Sequence, residues 1–85
     1  MKLASLKQGG RDGTLIVVDR DLQRAVRVPE IAPTLQRALE DWASCAPRLA
    51  AVAAALQRGE RADAFALDID ALASPLPRAY QFLDG

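Results

Sequence analysis

The sequence predicts a small α+β domain: an antiparallel sheet of three or four strands, covered by two consecutive helices and followed by an extended C-terminal tail. Three observations lead to this fold. The first third of the chain has short apolar runs separated by glycine- and aspartate-rich turns, the middle third has apolar residues at helical spacing, and the last eleven residues contain two prolines. A length of 85 residues allows one domain.

Strands are expected in the first third at residues 2–6, 14–19 and 23–28. The second of these has an unbroken apolar centre rich in β-branched residues, which are typical of strands. Three glycines within residues 9–13 supply turn positions with positive φ between the first two strands. Residues 19–21 form a short polar connection suited to a hairpin. We therefore expect a three-stranded meander with one buried face.

The first helix is expected after the loop that Pro29 and Pro33 border. Thr34 can cap it, because a threonine hydroxyl accepts a hydrogen bond from a free N–H of the first turn. Apolar residues at helical spacing then form a stripe that should face the core: Leu35, Ala38, Leu39 and Trp42. Trp42 is interpreted as a core residue, with a contact to another domain as the alternative.

The second helix is expected to be capped by Ser44, since Pro47 is tolerated in a first turn but not deeper in a helix. It should end at Arg58 and Gly59 and bury Leu49, Val52, Ala53 and Leu56. After it, residues 65–68 are a candidate strand and residues 68–72 a turn or a single helical turn. From Ser74 the chain should be extended.

The composition argues against several classes of function. Eleven basic and eleven acidic residues cancel and are interspersed, so no basic patch is available for nucleic acid or an anionic membrane. The longest apolar run, residues 49–56, is too short to cross a bilayer. A single cysteine, Cys45, forms no internal disulfide and suits a reducing compartment. We therefore expect a cytoplasmic protein that binds neither nucleic acid nor a membrane.

The chain contains no histidine. General acid–base chemistry would therefore need a carboxylate or lysine with a strongly shifted pKa. Serine–histidine and cysteine–histidine pairs are excluded. The sequence thus argues against a self-contained enzyme.

Three local groupings favour structural roles. Residues 9–13 lack the lysine and hydroxyl residue that end a phosphate-binding loop, so a tight turn is favoured. Asp68 and Asp70 would point to opposite faces of an extended segment, so capping is favoured over calcium binding. Cys45 has neither a base nor a second thiol nearby in sequence, and we interpret it as a half-buried structural residue.

The last eleven residues are unusually apolar for a chain terminus. Two prolines, Pro75 and Pro77, favour an extended path. They are followed by a cation, two aromatic rings and an acid: Arg78, Tyr80, Phe82 and Asp84. In a chain that ended at Gly85 these rings would be exposed. We therefore expect the chain to continue, with residues 1–77 forming the domain and residues 78–85 a linker whose aromatic rings pack between two domains.

Six segments carry a further pattern: MKLASL (1–6), RDG (11–13), DRDL (19–22), IAPTLQ (31–36), DW (41–42) and PLPRAYQ (75–81). In their order and spacing they resemble the N-terminal domain of bacterial fumarylacetoacetate hydrolase family proteins. The resemblance covers essentially the whole chain.

The resemblance implies a parent enzyme that hydrolyses a carbon–carbon bond in fumarylacetoacetate or a related β-diketo acid, in tyrosine breakdown. In that family the chemistry belongs to a C-terminal catalytic domain that holds Mg²⁺ or Ca²⁺ through carboxylates and uses a histidine to activate water. The N-terminal domain would be a non-catalytic module that packs on the catalytic domain through Trp42, Arg78, Tyr80 and Phe82. Asp84 falls where the family's first metal-binding aspartate could lie, which makes it a candidate ligand in the full-length protein.

The resemblance leaves the reaction of the parent protein open among hydrolysis, isomerisation and decarboxylation of related keto acids, and a homodimer is possible. The alternative is a free-standing interaction module. In that case Trp42, Tyr80 and Phe82 would form a patch that binds a separate protein.

Overall fold

The computed structural model describes residues 1–74 and 76–80. Its elements are β1 (Lys2–Leu6), β2 (Thr14–Val18), β3 (Arg24–Arg27), α1 (Leu35–Glu40), α2 (Trp42–Gln57), β4 (Phe65–Ala66), a single 3₁₀ turn (Ile69–Ala71) and β5 (Arg78–Ala79). The strands form one antiparallel sheet in the order β4-β3-β2-β1-β5. The predicted α+β class is confirmed, although the sheet has five strands where three or four were expected.

The meander β1–β2–β3 forms as predicted, and its two turns explain why. In the first turn Gly13 has φ +71°, and a Cβ at this position would collide with the carbonyl oxygen of Leu6. In the second turn the Asp19 carboxylate accepts the backbone N–H groups of Gln23 at 2.8 Å and Arg24 at 3.2 Å. The first turn thus needs a residue without a side chain at Gly13. The second is held by an aspartate that binds the backbone four and five residues further on.

The sheet is buried on both faces, so the expectation of one buried face was wrong. On the face toward the helices lies the helix-side cluster: Leu3, Leu15, Val17, Val26, Val28, Ala32, Ala38, Cys45, Leu49 and Leu56. The opposite face carries a second cluster: Ala4, Leu6, Ile16, Val18, Ala25 and Leu72. The unbroken apolar run of β2 explains the difference, since alternate residues of a strand serve opposite faces.

The boundary between the helices differs from the prediction. Thr34 caps α1 as expected, accepting the N–H of Arg37 at 3.1 Å. The chain breaks at Asp41 (φ −130°, ψ 47°), so α2 begins at Trp42, Ser44 lies within it, and Pro47 is internal. Pro47 is on the exposed side of α2, where solvent can bind the carbonyl group that the proline leaves without an intrahelical donor.

Two predictions about burial need correction as well. Leu39 is 45% exposed, because the break at Asp41 ends the helical stripe before its second turn is complete. Cys45 is buried among the helix-side cluster, not half-buried, and its sulfur lies 4.0 Å from the carbonyl oxygen of Ile31.

Neither helix of the described residues combines the length and hydrophobicity needed to cross a lipid bilayer.

The last part of the described chain runs along β1 and covers its outer side. The N–H of Lys7 donates to the carbonyl of Ala71 at 2.9 Å, and the N–H of Ala73 donates to that of Ser5 at 2.8 Å. β5 then pairs with the start of β1. Arg78 and Ala79, which belong to the predicted linker of residues 78–85, are therefore part of the sheet.

Leu49→Ala is expected to lower the free energy of unfolding by about 2–5 kcal/mol, because Leu49 is fully buried at the centre of α2. The matched control is Leu39→Ala, the same change at an exposed site, which should cost less than about 1 kcal/mol. Urea denaturation followed by circular dichroism measures both. Equal losses of unfolding free energy in the two variants would contradict the assignment of Leu49 to the buried face of α2.

Gly13→Ala is expected to destabilise the chain more than Gly10→Ala. Both residues have positive φ, which costs a non-glycine residue about 1–2 kcal/mol. Only at Gly13 would the new Cβ also displace a carbonyl group of β1, whereas at Gly10 nothing lies within 4 Å. A thermal midpoint that falls equally in the two variants would show that the close approach to Leu6 is unimportant.

Candidate docking surface

Tyr80 is the last of the described residues and directly follows β5. Arg78 pairs with Leu3, and Tyr80 continues the ladder with two hydrogen bonds to Met1. The N–H of Tyr80 donates to the Met1 carbonyl at 2.8 Å, and the Met1 nitrogen donates to the Tyr80 carbonyl at 3.2 Å. Because side chains alternate along a strand, Arg78 and Tyr80 project on the same side of the sheet as Leu3, which is the helix side.

Trp42 and Tyr80 form an aromatic pair at the border of the helix-side cluster. Their ring centroids are 5.7 Å apart and the ring planes meet at 51°, within the range of favourable tilted pairs. Both residues are half-buried and pack against the cluster. The structure thus brings together two residues, distant in sequence, that the sequence analysis selected as contacts to another domain.

Three leucines extend the apolar surface around this pair. Leu76 is 58% exposed and Leu39 is 45% exposed. Leu35, which is half-buried, lies one turn before Leu39 on α1 and lines a recess of about 200 Å³ together with Leu76 and Tyr80. Clustered exposed apolar residues of this kind mark contact surfaces more often than isolated ones do. We call these five residues the apolar edge: Leu35, Leu39, Trp42, Leu76 and Tyr80.

Arg78 supplies a positive charge beside the apolar edge. It is exposed and lines the same recess as Leu76. Within the described residues no carboxylate lies at ion-pair distance from its guanidinium. A planar guanidinium can bind a carboxylate through two parallel hydrogen bonds. The apolar edge and Arg78 together therefore offer the chemistry of a protein–protein contact.

The sequence analysis missed the leucines of this surface. It assigned Leu39 to the inner stripe of a helix, and it gave no role to Leu76. A single leucine between two prolines carries no periodicity from which its exposure could be read. The sequence feature that could have identified Leu76 as a surface contact is its position shortly before two aromatic residues.

Two of the selected residues, Phe82 and Asp84, lie outside the described residues. Within residues 1–74 and 76–80, no three side chains of histidine, cysteine, aspartate or glutamate come together in a way that could hold a metal ion. The Asp68 carboxylate accepts the N–H of Asp70 at 3.0 Å, which confirms the capping interpretation. The described residues therefore do not fit the Mg²⁺ or Ca²⁺ that the resemblance implies.

Shifted pKa values occur in the loop between α2 and β4, the strand at the opposite edge of the sheet from β5. A hydrogen bond from the Arg58 guanidinium lowers the pKa of the Glu60 carboxyl group. In the same way, hydrogen bonds from Arg61 lower the pKa of Asp63. These pairs involve exposed or partly exposed side chains of a surface loop, so their shifts do not indicate a catalytic group.

A family model described as fumarylacetoacetase N-terminal domain 2 matches residues 1–78. The match includes β1 to β4, both helices and the first residue of β5. No curated protein matches the chain.

A double-mutant cycle should detect the contact between Trp42 and Tyr80. Trp42→Ala and Tyr80→Ala each lower the free energy of unfolding. The double variant should lose less than the sum of the two single losses, by about 0.5–1.5 kcal/mol, the energy typical of an aromatic pair. The control cycle combines Trp42→Ala with Phe65→Ala. Phe65 packs on the opposite face of the sheet, so these two losses should add. Additive losses for Trp42 and Tyr80 would contradict the contact.

Proposed function

This chain belongs to the family of fumarylacetoacetase N-terminal domains, and on that basis we propose that it is a non-catalytic domain that packs on a catalytic domain. The parent protein would hydrolyse a carbon–carbon bond in fumarylacetoacetate or a related β-diketo acid. It would act in the cytoplasm, in the breakdown of tyrosine or other aromatic compounds. The family match over residues 1–78 is the observation that carries this proposal.

The residues of the chain support a non-catalytic role. Hydrolysis needs a group that takes a proton from water near neutral pH, and the chain has no histidine. Both lysines donate to backbone carbonyls: Lys2 to Arg20 at 3.1 Å and Lys7 to Asp70 at 3.3 Å. Glu60 and Asp63 have lowered pKa values, which makes them weaker bases. In our proposal the acid–base groups therefore come from the catalytic domain.

The metal ion implied by the resemblance would also belong to the catalytic domain. When bound there, Mg²⁺ or Ca²⁺ would polarise the diketone. Asp84 is the one residue of this chain that we propose as a ligand, in the full-length protein. These ions take several oxygen ligands, so one carboxylate would not retain them.

We propose that the catalytic domain packs on the apolar edge. The exposed parts of Leu39 and Leu76 would be removed from water by such a contact, which is favourable in proportion to the apolar area buried. Arg78 could bind a carboxylate of the catalytic domain. Tyr80 holds the chain against this surface, so a domain that follows in the same polypeptide would begin beside it. Phe82, placed two residues further on, would join the contact.

The proposal predicts that the 85-residue chain alone does not hydrolyse fumarylacetoacetate in the presence of Mg²⁺ or Ca²⁺. The assay follows loss of the diketone absorbance, with the protein encoded by the complete reading frame as the positive control. That protein is expected to turn over a β-diketo acid. Turnover by the purified chain alone would overturn the non-catalytic assignment.

The packing surface is tested in the full-length protein with two matched substitutions. Leu76→Asp places a charge on the apolar edge and should separate the unfolding of the two domains into two calorimetric transitions. Ile69→Asp introduces the same charge at a site that is 37% exposed, on the 3₁₀ turn, and should leave a single transition. If Leu76→Asp instead only dissociates a dimer of the isolated chain, the surface serves self-association. If the chain binds a separate protein through this surface, the interaction module is supported.

A further inference from the structure

Residues 76–80 form a short segment on the outer side of β1, which we call the strap. It consists of Leu76, Pro77, β5 and Tyr80. We propose that the strap opens and closes as a unit while the rest of the domain stays folded, and that only the closed strap completes the apolar edge. The opening is a property of this chain, whereas its effect on a catalytic domain rests on the proposed function.

The strap is attached to β1 separately from the segment before it. Leu72 forms a bridge with Leu6, and Arg78 pairs with Leu3. Between these two pairs the outer segment advances by six residues and β1 by three, so the ladder of paired residues is interrupted. Pro77 has no N–H to donate to a ladder. The strap can therefore detach from β1 while Leu72 stays in place.

The strap is much less buried than the first attachment. Leu72 is 3% exposed and packs in the cluster on the face opposite the helices. In the strap, Leu76 and both residues of β5 are exposed. Segments with few buried apolar contacts open at a lower free energy than the core of a domain does. We therefore expect the strap to open without global unfolding.

Tyr80 makes the contacts that close the strap. Its N–H donates to the Met1 carbonyl at 2.8 Å, and its carbonyl accepts a hydrogen bond from the Met1 nitrogen at 3.2 Å. Its half-buried ring packs on Trp42 and on the helix-side cluster. These interactions give the closed state a defined geometry, so the strap has two states: closed on β1 and detached from it.

Opening of the strap removes part of the apolar edge. Two of the five residues of that surface, Leu76 and Tyr80, belong to the strap, and so does Arg78, the cation beside it. A partner that binds the complete apolar edge therefore binds only the closed state. Such a partner shifts the equilibrium toward the closed strap, because it stabilises the state to which it binds.

Amide hydrogen exchange of the 85-residue chain measures the opening. The Tyr80 N–H reports the strap. The Lys7 N–H, which donates to Ala71 at 2.9 Å, reports the first attachment, and the Leu49 N–H reports the centre of α2. After correction for intrinsic rates, Tyr80 should exchange about a hundredfold faster than Leu49 and about tenfold faster than Lys7. It should still exchange about tenfold more slowly than an unstructured amide.

Three outcomes of this measurement would overturn the proposal. Exchange of Tyr80 at the rate of Leu49 would mean that the strap opens only in global unfolding. Exchange at the rate of Lys7 would mean that the strap does not open as a separate unit. Exchange at the rate of an unstructured amide would mean that the strap does not close.

Two substitutions separate local from global opening. Trp42→Ala removes the ring on which Tyr80 packs and should speed exchange of Tyr80 by about two- to tenfold, the factor that corresponds to an aromatic pair. Phe65→Ala, on the opposite face of the sheet, should speed exchange of Leu49 and leave Tyr80 unchanged. If Trp42→Ala does not fold, Phe65→Ala decides. Faster exchange of Tyr80 in Phe65→Ala would show that it exchanges through global unfolding.

The full-length protein tests the coupling to the catalytic domain. Packing on the closed strap should slow exchange of Tyr80 by about tenfold or more relative to the isolated chain. Leu76→Asp should abolish this slowing, and Ile69→Asp should preserve it. If the isolated chain shows the local opening but the full-length protein shows no slowing, packing on the apolar edge is contradicted and the strap proposal stands. If the isolated chain shows no local opening, the strap proposal fails whether or not the domains pack.

Discussion

The hydrogen bonds that join β1 to residues 71–73 and 78–80 connect the two ends of the described chain and determine the position of Tyr80. They run from Lys7 with Ala71 to Met1 with Tyr80. Because β2 pairs with the other side of β1, β1 is an inner strand. Without this pairing β1 would be an exposed edge, Leu72 would leave the opposite-face cluster, and Tyr80 would leave Trp42.

Packing on both faces of the sheet depends on this arrangement. The helices cover one face, and the segment around the 3₁₀ turn covers the other with Leu72 and flanking apolar residues. All ion pairs of the described residues involve exposed or partly exposed side chains, and such pairs contribute little to stability. In a chain of 85 residues, apolar burial on these two faces is therefore the main stabilising term.

The sequence was sufficient to predict β1 to β3, the two turns between them and the end of α2. Those elements depend on local features: apolar runs of strand length, glycines where φ is positive, and Gly59 after the last helical turn. β5 could not be predicted in this way. It has two residues and no periodicity, and its pairing with β1 joins residues at opposite ends of the chain. Such a strand is defined by the edge that it covers, not by its own composition.

The apolar edge arises from the break between α1 and α2 at Asp41, the same feature that made the predicted helix boundary wrong. Leu35, Leu39 and Trp42 have the spacing of one helical face, but the dihedral angles of Asp41 end α1 and start α2 in a new direction. Leu39 is consequently turned toward solvent, and Trp42 begins a helix and meets Tyr80 at the exit of the chain. A continuous helix would have used these residues to bury a single stripe. The break instead leaves apolar side chains at the surface. Functional surfaces are expected where a structure departs from the rules that the local sequence follows.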